Sequence, residues 1–192
     1  LQIGGAGTLA YWIVHLVSPL PAPGQAVRFI GPDGMIARTT NGAASGLAEM
    51  TTNKVMVKSF DFDATTQEFI QFYWSLPGSH DGGTVTAIFL WSHGATTTNF
   101  GVVFGLQFVN IANAGALDAA FGTAQIIADT GGTTNSAYMT NQTPAITIGS
   151  NNPNRLLVGQ VYRDPAHGSD NLAIDARLHG ILLFYNRDSF ND

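Results

Sequence analysis

Cysteine is absent from the 192 residues, which excludes disulfides, thiolate metal sites and a cysteine nucleophile. Lysine is confined to Lys54 and Lys58, and Lys plus Arg total 8 against 13 Asp plus Glu. Contact with a phosphate backbone needs clustered cations, so nucleic acid is not an expected partner. Charged residues of either sign make up 11% of the chain, under half of the roughly 25% of an average soluble domain. Long apolar runs are missing as well. Leu9 to Leu20 is the most apolar stretch, whereas a bilayer-spanning helix takes about 20 such residues, so no membrane span is expected. No Lys or Arg precedes Arg28, unlike the basic start of a signal peptide. Heptads and internal repeats are lacking, which argues against a fibre shaft.

What the chain has instead is 45% hydrophobic residues, 22 Gly, 19 Thr and 13 Asn. A chain of this size buries about 70% of its unfolded surface in one core, and this mixture suits strands and turns better than helix faces. Pro19, Pro21, Pro23, Gly24, Gly31, Pro32, Gly34, Gly42 and Gly46 break both helix and ladder pairing, so residues 1–46 are expected to form an extended N-terminal arm. Residues 47–192 then form the domain. High β-propensity recurs there between turn residues, predicting eight strands at 54–62, 67–76, 84–93, 101–111, 124–128, 145–148, 155–162 and 177–185. In the third, Val85, Ala87, Phe89 and Trp91 share one face, marking it as core. In the last, strict alternation groups Leu178 with Gly180, Leu182 and Phe184. One helical turn is expected at 116–121, closed by Gly122. Eight antiparallel strands without crossover helices predict an all-β fold, a single jelly-roll-like β-sandwich.

The chemistry-bearing residues are few. Asp61, Asp63 and Asp81, with the later Asp164, Asp170 and Asp175, are oxygen ligands of the type Ca²⁺ takes. Their spacing is not that of an EF-hand, and turn capping by Asp side chains is the preferred account, so no metal or cofactor is expected. Arg163, Asp164, Asp170, Asp175 and Arg177 flank one loop, and partly buried charges need partners; a structural charge lattice is expected. A glycosidase pair would need a carboxyl with raised pKa, which the neighbouring arginines oppose. His15, His80, His93, His167 and His179 lack metal-pair spacing, and no Gly-x-Ser-x-Gly or phosphate loop occurs. His80 and His167 fall in Gly-containing loops and are expected at the surface. Tyr73, Trp74 and Trp91 could stack on a sugar ring, but the two tryptophans, on alternating strands, are expected in the core. The Thr- and Asn-rich loops 96–99 and 131–135 suit glycan contact or solvent equally.

Several segments stand out together: Arg38-Thr-Thr-Asn-Gly-Ala-Ala-Ser-Gly46, Phe60-Asp-Phe-Asp63, Leu76-Pro-Gly-Ser-His-Asp-Gly-Gly-Thr-Val-Thr-Ala87, Phe89-Leu-Trp-Ser-His93, Phe121-Gly-Thr-Ala-Gln125 and the run from Arg163 to Gly180. In order and spacing this pattern resembles a family of small virion-associated proteins of tailed bacteriophages and prophages, over about three quarters of the chain. The resemblance implies a virion location and a non-enzymatic structural part. The compact length favours a capsid decoration, cement or head-associated protein over the alternative, a tail-fibre adhesin that recognises host-surface glycans. The arm before Arg38 lies outside the resemblance. Its Leu9, Tyr11, Trp12, Ile13, Val14, Leu16 and Val17 are expected to bury against another subunit, giving a homo-oligomer, a trimer, that contacts the major capsid or tail protein. Half of about 800 Å² per partner being apolar would contribute on the order of 10 kcal/mol before association costs.

Overall fold

The computed structural model describes residues 24–94, 99–149 and 155–188. Within them eleven strands form two antiparallel sheets. The first sheet runs β3 (Ala44–Glu49), β4 (Met56–Phe62), β11 (Ala176–Asn186), β6 (Thr86–His93), β9 (Tyr138–Met139), with β1 (Gln25–Ile30) also paired to β11. The second runs β2 (Met35–Ala37), β5 (Phe69–Trp74), β10 (Leu156–Arg163), β7 (Gly101–Ile111), β8 (Gln125–Thr130). From β4 to β7 each strand lies in the sheet opposite its predecessor, as in a jelly-roll-like sandwich.

The core fills the space between the sheets. Phe62, Phe89, Trp91, Leu178 and Ile181 of the first face Ile70, Phe72, Phe104 and Leu106 of the second, all without solvent exposure. Phe89 stacks on Phe104 with centroids 5.1 Å apart, and Phe72 meets Phe108 edge-on at 5.9 Å. Such pairs add about 0.5–1.5 kcal/mol each to the burial itself.

Alternation located seven of the strands closely, and the differences have physical causes. The expected arm does not extend to residue 46: Gln25–Ile30 pairs with Ile181–Asn186, and Met35–Ala37 pairs with Ile70–Phe72. The breakers sit at 23–24 and 31–34, flanking these short strands instead of interrupting them. Leu9 to Val17, the expected partner contact, lie outside the described residues. Residues 145–148 form a single bridge, Val85 to Ile146, in place of a strand. Residues 116–121 are a loop, not a helical turn. In β11 the pairing with β6 slips between Leu178 and Gly180. This bulge reverses the phase of the strand, so Leu178 and Ile181 both point inward. Gly180 has φ +150°, and a Cβ there would collide with Phe29 and come within 2.9 Å of the Ile30 carbonyl, which is why a glycine occupies the bulge.

Candidate functional site

The structure divides the expected charge lattice in two. Arg163, on β10, is fully buried and holds Asp170 by two bonds, Nε to Oδ2 at 3.0 Å and Nη2 to Oδ1 at 2.7 Å. Its Nη1 also donates to the carbonyls of Ile174 at 2.9 Å and Phe62 at 3.2 Å, and its Nη2 to that of Leu172. Asp170 Oδ2 accepts the Val103 N–H at 2.9 Å. One buried guanidinium thereby ties the 164–175 loop to three strands. Arg177 belongs elsewhere: it lies 4.0 Å from Asp61 and donates to Asn135 at 3.2 Å. The Asp164 N–H donates to the Val103 carbonyl at 2.9 Å. Asp175 is exposed beside Asp61 and Asp63, and partial burial with those two carboxylates raises its pKa. Asp63 caps its turn, its Oδ1 accepting from the Thr65 N–H and hydroxyl and the Thr66 N–H, each at 2.7 Å, which lowers its pKa to about 2.

Two of the five histidines sit differently from the surface positions expected of loops. His80 is buried against Tyr185, its Nδ1 accepting the Gly82 N–H at 2.9 Å, and burial lowers its pKa. His167 is half-buried and accepts the Ser169 N–H at 3.1 Å. Among the described residues no three His, Asp or Glu side chains converge as a metal site would require.

The outward face of the second sheet assembles residues from separate strands. Register places Gln71 of β5 beside Gln160 of β10, and Gln160 beside Gln107 of β7. The Gln71 Nε2 donates to the Gln160 Oε1 at 2.9 Å. Gln160 is buried beneath the row while Gln71 and Gln107 remain partly open. One row away Phe69 neighbours Tyr162, with centroids 5.8 Å apart. Tyr162 in turn pairs with Gly105 of β7, where a Cβ would run into the tyrosine ring. The glycine therefore lets the ring lie down on the sheet. On the other side of the glutamines stands Tyr73, 62% exposed. A cleft of about 290 Å³ opens there between Gln71 and Tyr73 on the sheet and Leu117, Asp118 and Phe121 of the 112–124 loop. Phe121 also covers the apolar patch of Val109, Ile111 and Val158. The strands direct no Asp, Glu, Lys or Arg onto this face. Aromatic planes beside amide groups that both donate and accept can hold an uncharged polyhydroxyl ligand.

Of the three aromatics suggested as a platform, Trp74 and Trp91 are buried and only Tyr73 faces solvent. The glutamine row was not foreseen. Its trace in the sequence is a Gln at an outward-phase position of each of three strands, visible as a row only once the register is known.

The first sheet carries a second concavity of about 310 Å³ on its outer face, walled by Ala48, Val57, Leu90, Tyr138 and Met139. Ser92 and His179 lie in it 2.7 Å apart, and His179 Nδ1 sits 3.1 Å from the Lys58 carbonyl.

No family model matches the chain, and no curated protein matches it. Solved structures do resemble it at low identity. A carbohydrate-binding module specific for non-crystalline cellulose aligns at TM-score 0.42 and 12% identity, over 81% of this chain and 86% of that one. The family 11 carbohydrate-binding module from Clostridium thermocellum, in complex with a β-1,3-1,4-mixed-linked tetrasaccharide, aligns at TM-score 0.36 and 10% identity, over 85% and 90%. A chain of infectious bursal disease virus, Gx strain, aligns at TM-score 0.34 and 11% identity, over 86% of this chain and 32% of that one. These are distant likenesses of a β-sandwich, and the functional argument below rests on this chain's own residues.

Proposed function

We propose that this chain is a non-enzymatic virion protein of a tailed bacteriophage whose second sheet binds an uncharged glycan of the host surface. One observation carries the reading: Gln71, Gln160 and Gln107 form a continuous amide row flanked by exposed Tyr73 on one side and by Phe69 and Tyr162 on the other. An aromatic face takes the apolar C–H face of a pyranose, and the partly open Gln71 and Gln107 amides can donate to and accept from sugar hydroxyls, while buried Gln160 braces Gln71. The Gln71 to Gln160 bond holds the row in place before a ligand arrives, which reduces the ordering cost of binding. The strands themselves direct no Asp, Glu, Lys or Arg onto this face, which favours neutral over acidic sugars, and Arg38, which follows β2, stacks over the Phe69 ring at 4.2 Å. A hydrolytic role for Asp170 is opposed by Arg163, which engages both of its oxygens. The virion location is supported by the sequence resemblance.

A glycan array probed with the full chain tests the reading. Neutral polysaccharides are expected to bind, and Tyr73→Ala to weaken them about tenfold, since an aromatic contact is worth roughly 0.5–1.5 kcal/mol beyond its area. Binding that survives Tyr73→Ala and Gln71→Ala together, or a folded protein that binds no glycan, overturns it.

A further inference from the structure

Tyr73 borders two clefts. Register sets it beside Val158 of β10, and Val158 beside Val109 of β7, and the 290 Å³ cleft under the 112–124 loop lies on that flank. On the other flank β2 ends at Met35, opposite Phe72, so no strand runs beside Tyr73 there. The chain instead arrives from β1 of the first sheet through the turn Pro32–Gly34. A second cleft of about 430 Å³ opens at this edge of the sandwich, lined by Arg28, Phe29, Ser75 and Pro77 over the buried Trp74 and Tyr185.

Arg28 gives this cleft its charged group. It lies opposite Leu183, a core residue, and cross-strand partners share a face, so its side chain leaves β1 on the side of the opposite sheet. Among the described residues no carboxylate pairs with it. A guanidinium carries five N–H donors and no acceptor, which suits the hydroxyl and ring oxygens of a sugar. The two clefts and Tyr73 lie on one line across the strands, parallel to the glutamine row. From β7 over β10 and β5 to the line of β2 is about 14 Å, at roughly 4.8 Å between strands, and the second cleft continues beyond. That span exceeds the length of a disaccharide.

Resting on the glycan-binding reading above, we infer that the ligand is a linear chain of several sugar units lying across the strands, one stretch on the glutamine row and Tyr73 and the next in the Arg28 cleft. Arg28 is then a contact of the longer chain alone.

Isothermal titration calorimetry of the full chain with glucan, galactan and mannan oligosaccharides of two and six units tests this. The six-unit form of the sugar that binds is expected to bind about tenfold tighter than its two-unit form, the worth of one hydrogen bond to a charged group. Arg28→Ala removes that advantage and leaves the two-unit affinity unchanged. Arg28→Gln, which keeps a donor, retains part of it and serves in place of Arg28→Ala should that variant fail to fold. Equal affinity for the two lengths, a six-unit affinity unmoved in either folded variant, or an equal loss at both lengths overturns the extension while leaving the glycan-binding reading intact. If none of these oligosaccharides binds, the extension and that reading fall together.

Discussion

Replacing Asp170 with Asn will cost the protein about 3–5 kcal/mol of unfolding free energy, the range for removing one partner of a buried ion pair. Arg163 is completely inaccessible, and its pairing to Asp170 is bidentate. The substitution leaves a guanidinium charge buried among backbone carbonyls. It also turns an acceptor into an amide whose N–H groups face the Arg163 and Val103 donors. For a domain of 150–250 residues each kcal/mol moves the melting temperature by about 2–4 °C, so a fall of roughly 6–20 °C is expected. Urea unfolding followed by far-UV circular dichroism, with the melt beside it, gives the number. Exchanging both partners for apolar side chains, Arg163→Met with Asp170→Leu, removes the stranded charge and is expected to recover much of the loss. A loss below about 1 kcal/mol for Asp170→Asn, the range of an exposed pair, would refute the claim that this bridge anchors the 164–175 loop.

Gly105→Ala will lift the Tyr162 ring off the sheet and lower glycan affinity without altering a ligand-facing side chain; equal affinity on the array would remove Tyr162 from the platform. Asp63 titrates near 2 when folded, against 3.8 for its ordinary value. Its turn bonds therefore add stability above about pH 4 that is lost as the pH falls toward 2, and Asp63→Asn will flatten that part of the melting-temperature profile; an unchanged slope would assign the acid loss to other groups. Gly180→Ala forces a φ of +150° on a residue with a Cβ and drives it into Phe29 and the Ile30 carbonyl. It will destabilise by at least about 1–3 kcal/mol, and a neutral outcome in urea would mean that β11 realigns without its bulge.

Fold class and most strands were legible from local pattern. Gly101–Ile111 was bounded correctly, and the Val85, Ala87, Phe89, Trp91 face was identified as core, since period-2 alternation and turn residues are properties of neighbours in sequence. The short strands at 25–30 and 35–37 were not, because their partners lie at 181–186 and 70–72, and pairing across such separations leaves no trace in either segment alone.

By itself the sequence determined that this is a low-charge, cysteine-free chain suited to sheets and turns, because composition and alternation set which backbone states are favoured. Tertiary structure alone decided the rest. The register of β5, β10 and β7 turned three distant glutamines into one row, the β11 bulge chose which side chains enter the core, and one buried arginine singled out Asp170 among the loop carboxylates. Each is a relation between residues far apart in the chain, fixed by how strands align across a sheet and therefore absent from any one of them.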